Sequence, residues 1–175
     1  MDGFFDWFNL FERSRYWVVP GMVAVPMVFI IATAGIDLSV ASIVALCGIA
    51  FGMSHSAGAP VPLAAAIAIS VGLVAGSING GVSSFLGVPP LVVTLATMAL
   101  FRGVAMGLSK GAPIRDFPDG FQWISQGNLF RVPFGDGVHV PVPLITLLVT
   151  VLIGAVLLKK SWIGRYTEST GENEI

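Results

Sequence analysis

A single carboxylate stands inside a long apolar stretch of the sequence. Asp37 is the only charged residue between Trp17 and Met53. A charge at mid-membrane costs a few kcal/mol or more, so something must compensate for it. Gly35 and Ser39 suit a helix break in which Asp37 accepts hydrogen bonds from the amides that begin the next helix. The alternative is a direct role in a polar pathway, and both interpretations stay open.

The only basic residue inside an apolar segment is Arg102, and its neighbour Gly103 would permit close packing. An ion pair between Arg102 and Asp37 is one hypothesis. The topology predicted below argues against it, because it places Arg102 nearer the outside and Asp37 nearer the inside. Further polar groups at or within apolar segments suit interhelical hydrogen bonds as well as substrate contacts; they are Asn79, Thr94 and Thr97.

Patterns typical of an enzyme are missing from the sequence. His55 and His139 are isolated and not at metal-ligand spacing, and neither GxSxG nor HExxH occurs. We therefore expect no catalytic residue, no metal site and no cofactor in this chain. The phosphate-binding pattern GxxxxGK[ST] does not occur either, so ATP that drives any process here must be bound by a partner subunit.

The composition is that of a membrane protein. Of the 175 residues, 55% are hydrophobic and only 11% are charged, with a mean hydropathy of +0.86. Soluble domains carry about 25% charged residues. The net charge is −1 and no long basic run occurs, so nothing indicates a nucleic-acid partner. The elements that position the polar residues are therefore membrane segments.

Five apolar segments follow one another along the chain, at residues 17–34, 40–53, 62–78, 91–108 and 143–158. Most are long enough for a helix to cross a hydrocarbon layer of about 30 Å. The alternation expected of barrel strands is missing. We predict an all-α, polytopic transmembrane bundle with about five membrane segments. Whether the short second segment spans fully or is re-entrant stays open.

Lysine and arginine near the segment ends predict the orientation. Lys159, Lys160 and Arg165 follow the last segment with no acid among them, so the tail at residues 159–175 is predicted to be cytoplasmic. Counting backwards places the long loop at residues 109–142 outside, together with residues 1–16 if both first segments cross. Arg13 and Arg15 then lie on the side that usually has fewer basic residues. The outer loop is longer than a usual connection, which favours a functional surface or a short interfacial helix over a plain tether.

Glycines recur at every fourth position in two segments, which places them near one helix face. Such a face lets membrane helices approach closely. We predict a packing role rather than a substrate path for these glycines, which are Gly72, Gly76, Gly80, Gly103 and Gly107.

Several longer motifs resemble a known family when taken together. They are "GIDLSVAS" at residues 35–42, "GSINGG" at 76–81, "GVPPLVVTLATMALFRG" at 87–103, "GAPI" at 111–114 and the tail "GRYTESTGENE". In order and spacing they resemble the permease subunit of bacterial ABC importers for ribose and similar monosaccharides, over nearly the whole chain.

The resemblance implies a partial transmembrane permease domain over residues 1–175 in the bacterial inner membrane. It implies three partners: an ATP-binding subunit that hydrolyses ATP, a second permease subunit, and an external sugar-binding protein. The expected ATPase contacts in the tail are Gly164, Arg165, Gly171, Asn173 and Glu174.

The chain also departs from the family pattern. Members are about twice as long, "TEST" at residues 167–170 replaces a more hydrophobic stretch, and Ala41 stands where glycine is common. The bundle is therefore expected to be incomplete relative to the family and to need another permease chain. Two alternatives are an ion-coupled secondary transporter that uses Asp37 and a degenerate membrane protein with only an assembly role.

Overall fold

The computed structural model describes residues 7–115, 117–132 and 138–172 and is almost entirely helical. The helices are α1 (Trp7–Ala32), α2 (Val40–Ser56), α3 (Val61–Leu86), α4 (Pro90–Leu108), α5 (Asp119–Gln126), α6 (Val142–Lys160) and α7 (Trp162–Glu172), and the strands are β1 (Asn128–Val132) and β2 (Val138–Pro141). The predicted helical bundle is confirmed.

In the part of the chain that the structure describes, four helices are long and apolar enough to cross a membrane, namely α1, α3, α4 and α6. The fifth apolar segment forms α2, whose 17 residues rise about 26 Å, slightly less than a typical hydrocarbon layer. Prolines in the first turn begin α3 and α4, where a missing amide hydrogen costs no helical bond. Gly87, with φ of 65°, ends α3 in the left-handed conformation that glycine adopts readily.

The outer loop has more structure than the sequence analysis predicted. It contains the short helix α5, which is one of the two possibilities that the loop length favoured. It also contains an antiparallel pair of strands, which was not predicted. In that pair Asn128 lies opposite Pro141 and Val132 lies opposite Val138. The all-α prediction therefore holds for the described residues apart from these two short strands.

The chain forms two compact units. One contains the described residues up to Ala34 and from Asp119 onwards, and the other contains residues 35–118. In the second unit α2, α3 and α4 pack around a small apolar core of Leu46, Ala75, Phe101 and Ala105. Many large apolar side chains of the spanning helices are exposed, which suits helices surrounded by lipid.

In the first unit, α1 packs against α6 through glycines. A Cβ atom at Gly21 would lie 2.9 Å from Cδ1 of Leu147, and one at Gly154 would meet Val25. Close approach through small residues is the usual way in which membrane helices associate. Neither glycine lies in a four-residue repeat, so the sequence pattern does not reveal them.

Candidate functional site

The segment between α1 and α2 breaks the first apolar run at Asp37. The Oδ1 atom of Asp37 accepts two hydrogen bonds of 2.7 Å, one from the amide of Ser39 and one from its hydroxyl. Ser39 is the residue immediately before α2, and its side chain makes no capping bond of its own. The carboxylate therefore binds the chain just ahead of the new helix, close to the capping role that the sequence predicted.

Asn79 of α3 extends this arrangement to a second helix. Its Nδ2 atom donates to the Ser39 hydroxyl oxygen at 2.7 Å, so the hydrogen bonds run from Asn79 through Ser39 to Asp37. Ser39 is fully buried and Asn79 is 8% exposed. The Oδ1 atom of Asn79 is buried and has no hydrogen-bond partner among the described residues. An unpaired buried acceptor costs free energy, so this network is not fully satisfied.

Two threonines of α4 lie in the same unit, and Thr94 binds the backbone of the break next to Asp37. The Thr94 hydroxyl lies 3.3 Å from the carbonyl oxygens of both Ile36 and Leu91, and so ties α4 to the break. Thr97 instead donates to the carbonyl of Val93 within its own helix. We call Asp37, Ser39, Asn79 and Thr94 the break cluster.

Arg102 does not belong to the break cluster. It lies eight residues after Thr94 on α4, which corresponds to about 12 Å along the helix axis, and its side chain is exposed. No ion pair joins it to Asp37 in the part of the chain that the structure describes. The hypothesis of an Asp37–Arg102 pair is wrong, because Arg102 lies about two helical turns away from the part of α4 that contacts the break.

The break cluster holds backbone and side-chain polar groups in place between apolar helices. Within the described ranges, no group of three side chains of the metal-ligating types lies together. The hydroxyls of Ser39 and Thr94 are committed to hydrogen bonds inside the protein. What the cluster does chemically is stabilise a helix break between apolar helices.

The described tail residues that were predicted to contact an ATPase divide into two sets. Gly164 and Gly171 face their own chain: a Cβ atom at Gly164 would meet the carbonyl oxygen of Leu158, and one at Gly171 would meet that of Ala32. Arg165 is exposed. Asn173 and Glu174 lie outside the described residues.

The exposed face of α7 includes residues that the sequence analysis did not name. Trp162 and Tyr166 are 65% and 68% exposed, and their rings meet edge to face with centroids 6.0 Å apart. Arg165 and Glu168 are exposed as well. We call these four residues the outer face of α7. Their spacing of three and four positions is the pattern that could have revealed them.

Most of the repeated glycines have no close neighbour among the described residues. A Cβ atom at Gly72 would lie 3.1 Å from Sγ of Cys47 on α2. Beyond the local backbone, no described atom lies within 4 Å of the corresponding position in the other four, which are Gly76, Gly80, Gly103 and Gly107. Their packing role stays a prediction that would require another chain or segment.

Arg15 anchors the structured outer loop to the beginning of α1. Its guanidinium donates to the Gln126 carbonyl at 2.7 Å and to Oδ1 of Asn128 at 2.8 Å, and it forms an ion pair with Glu12 at 3.4 Å. Arg15, which is predicted to lie on the side that usually has fewer basic residues, therefore binds the loop. These contacts place the start of α1 and the loop on the same side of the membrane.

Replacing Arg15 with alanine is expected to speed amide hydrogen exchange in β1 about tenfold, because two hydrogen bonds that anchor the strand are lost. The measurement is exchange detected by mass spectrometry in detergent micelles. Arg13→Ala removes a neighbouring arginine whose side chain is exposed, and should leave exchange in the loop unchanged. Equal exchange in both variants would contradict the anchoring role.

The chain matches a protein-family model over residues 10–175, and that family is described as "Branched-chain amino acid transport system / permease component". Among curated proteins it is 36% identical over 170 residues to the autoinducer 2 import system permease protein LsrD of Yersinia enterocolitica, and 34% identical to the LsrD protein of Yersinia pestis. These matches cover 94% of this chain but only 49% and 48% of those relatives. The chain therefore spans about half the length of the curated relatives. No solved structure matches it significantly.

Proposed function

We propose, from the premise that this chain belongs to the family of branched-chain amino acid transport system permease components, that it is a membrane-spanning part of an ATP-driven importer. The observation that carries the proposal is the similarity of 94% of the chain to permeases of an import system. Family membership and the four apolar helices make it a multi-pass protein of the bacterial inner membrane. Permeases of this kind are not themselves catalytic.

The proposed substrate is a small polyhydroxylated molecule, a monosaccharide such as ribose. The tail and loop motifs resemble monosaccharide permeases, and the curated relatives are named for autoinducer 2. The break cluster offers carboxylate, amide and hydroxyl groups between apolar helices. Ser39 engages the Asp37 carboxylate, which favours a structural role for Asp37 over ion coupling.

The proposed partners are an ATP-binding subunit that hydrolyses ATP, a second permease chain and an external sugar-binding protein. The outer face of α7 follows directly after α6 and the basic residues Lys159 and Lys160, at the end predicted to be cytoplasmic. We assign the ATPase contact to this face. The open positions at Gly76 and Gly103 would accept a helix of the second permease chain.

Charge reversal on the outer face of α7 tests this assignment. Arg165→Glu is expected to lower the amount of ATP-binding subunit that co-purifies with the tagged chain at least about tenfold, because it replaces an exposed cation with an anion in the centre of the face. Trp162→Ala should lower it similarly, since exposed aromatic residues often dominate binding. The measurement is co-purification from membranes that contain the second permease chain.

The matched control is Arg115→Glu, which makes the same charge change at an exposed arginine of the predicted external loop. It should change co-purification less than about twofold, as expected for a charge remote from the interface. If the wild-type chain inserts but retains no ATP-binding subunit, or if Arg165→Glu and Trp162→Ala both retain it fully, the proposed contact is refuted.

A further inference from the structure

A polar pocket lies between the beginning of α1 and the end of α5. Its volume is about 680 Å³, which falls within the range of about 300 to 1,000 Å³ that is usual for small-molecule sites. The residues that line it are Glu12, Arg13, Arg15 and Tyr16 of α1 and Ser125 and Gln126 of α5. All six belong to the first compact unit. None of them is part of the break cluster or of the outer face of α7.

Arg15 holds the two walls of this pocket together. Its guanidinium donates to the carbonyl of Gln126, the last residue of α5, and forms an ion pair with Glu12 on its own helix. A cation at the carboxyl end of a helix also compensates for the unpaired carbonyl groups there. The shape of the pocket is therefore maintained by contacts within the protein, and the charges of Arg15 and Glu12 offset each other.

Arg13 gives the pocket an excess of positive charge. Of the charged side chains that the structure describes, only Arg15 and Glu12 form an ion pair, so the exposed guanidinium of Arg13 is left uncompensated. Tyr16 lies one turn further along α1 and is 81% exposed, which places a phenolic donor on the same helix face. The side-chain amide of Gln126 is a further donor. A guanidinium surrounded by neutral donors suits an oxyanion, and its planar fork matches the oxygens of a phosphate group.

The depth of the pocket in the membrane decides which oxyanion it meets. The apolar part of α1 begins at Trp17, directly after the pocket, and charged side chains enter hydrocarbon only at a large cost in free energy. Trp17 and Trp123 of α5 are 73% and 51% exposed. Exposed tryptophans are enriched where hydrocarbon meets water. The pocket therefore lies at the depth of the lipid headgroups.

We propose that this pocket binds the phosphate group of a membrane phospholipid, and we call it the headgroup pocket. Arg13 pairs with the phosphate, the Tyr16 hydroxyl donates to one of its oxygens, and the acyl chains extend along the apolar surface that begins at Trp17. Arg15 is a positioning residue that keeps α5 against α1. The proposal depends on the location of the chain in a membrane and is independent of its substrate and of any ATPase.

Lipid binding is measured by native mass spectrometry of the full chain, titrated with phosphatidylglycerol in a detergent that contains no phosphate. Arg13→Gln is expected to raise the apparent dissociation constant at least about tenfold, because a charge-assisted pair with the phosphate is lost. Tyr16→Phe removes a single hydroxyl and should raise it about threefold. The matched control, Arg115→Gln, makes the same change at an exposed arginine outside the pocket and should alter it less than about twofold. An unchanged dissociation constant in Arg13→Gln would overturn the proposal.

Two further probes separate the phosphate from the acyl chains. Diacylglycerol has the same chains without the phosphate, and glycerol phosphate has the phosphate without the chains. Each is expected to bind at least about tenfold more weakly than phosphatidylglycerol, because each lacks one of the two sets of contacts. Equally tight binding of diacylglycerol would indicate an apolar site, and equally tight binding of glycerol phosphate would indicate a site for a soluble phosphate ester. Either result would replace the headgroup assignment.

Hydrogen exchange in detergent micelles provides a second measurement. A lipid that binds only while α5 is in place slows local opening, so phosphatidylglycerol at about twice its dissociation constant should slow exchange in α5 about threefold. In Arg13→Gln the same lipid concentration should have no such effect. Exchange without lipid should match the wild type, since Arg15 still holds α5. The headgroup pocket is refuted if the lipid protects α5 equally in both chains or protects it in neither.

Discussion

Replacing Gly164 with alanine is expected to lower the free energy of unfolding by about 3 kcal/mol, the upper part of the range for overpacking. The added Cβ would meet the carbonyl oxygen of Leu158 and would lie 2.8 Å from its Cα atom. Both are backbone atoms of the last turns of α6, so no side chain can rotate away. The corner is further fixed because the Ser161 hydroxyl accepts a hydrogen bond from the Gly164 amide at 3.2 Å.

The measurement is reversible unfolding by sodium dodecyl sulfate in mixed micelles, followed by tryptophan fluorescence. Gly107→Ala is the matched control, because its Cβ meets no described atom and alanine favours a helix over glycine by up to about 1 kcal/mol. It should be neutral or stabilising. If Gly164→Ala unfolds at the wild-type concentration of denaturant and loses only the ATPase, the glycine is a partner contact, as the sequence had predicted.

Hydropathy was sufficient to locate the membrane helices, because a helix in lipid must be apolar over its whole length. Four of the five apolar segments fall within observed helices, and the first, at residues 17–34, extends just past the end of α1 at Ala32. Hydropathy could not locate helix ends that extend into water, so the polar beginning of α1 was missed. The strands β1 and β2 were also missed, since a short external hairpin needs no apolar alternation when one side is anchored by Arg15.

The break cluster was partly predictable for a different reason. A lone carboxylate in an apolar run demands nearby donors, and the sequence places Ser39 two residues away. The link from Ser39 to Asn79 and the contact between Gly171 and Ala32 join residues far apart in sequence, and no local pattern encodes them. For the same reason, a motif could not separate Gly164, which meets its own chain, from exposed Arg165.

The break cluster also yields a stability prediction, in which removing one hydroxyl group lowers the free energy of unfolding more than removing a whole amide group. Ser39→Ala is expected to cost about 2 to 3 kcal/mol, because it removes the fully buried hydroxyl that accepts from Asn79 and donates to Asp37. The whole Asn79 amide is then buried without a described partner, since its oxygen already lacks one. No water is available in a lipid-surrounded helix pair to replace the lost bonds cheaply.

Asn79→Leu should cost less than about 1 kcal/mol or stabilise the protein, although it removes a buried residue that makes a hydrogen bond of 2.7 Å. The substitution keeps the number of side-chain heavy atoms constant and removes the unpaired oxygen together with the NH2 group, so only the acceptor capacity of Ser39 is lost. Denaturation in mixed micelles measures both variants. A larger loss for Asn79→Leu than for Ser39→Ala would mean that the Asn79 oxygen has a donor in the membrane, such as a bound water.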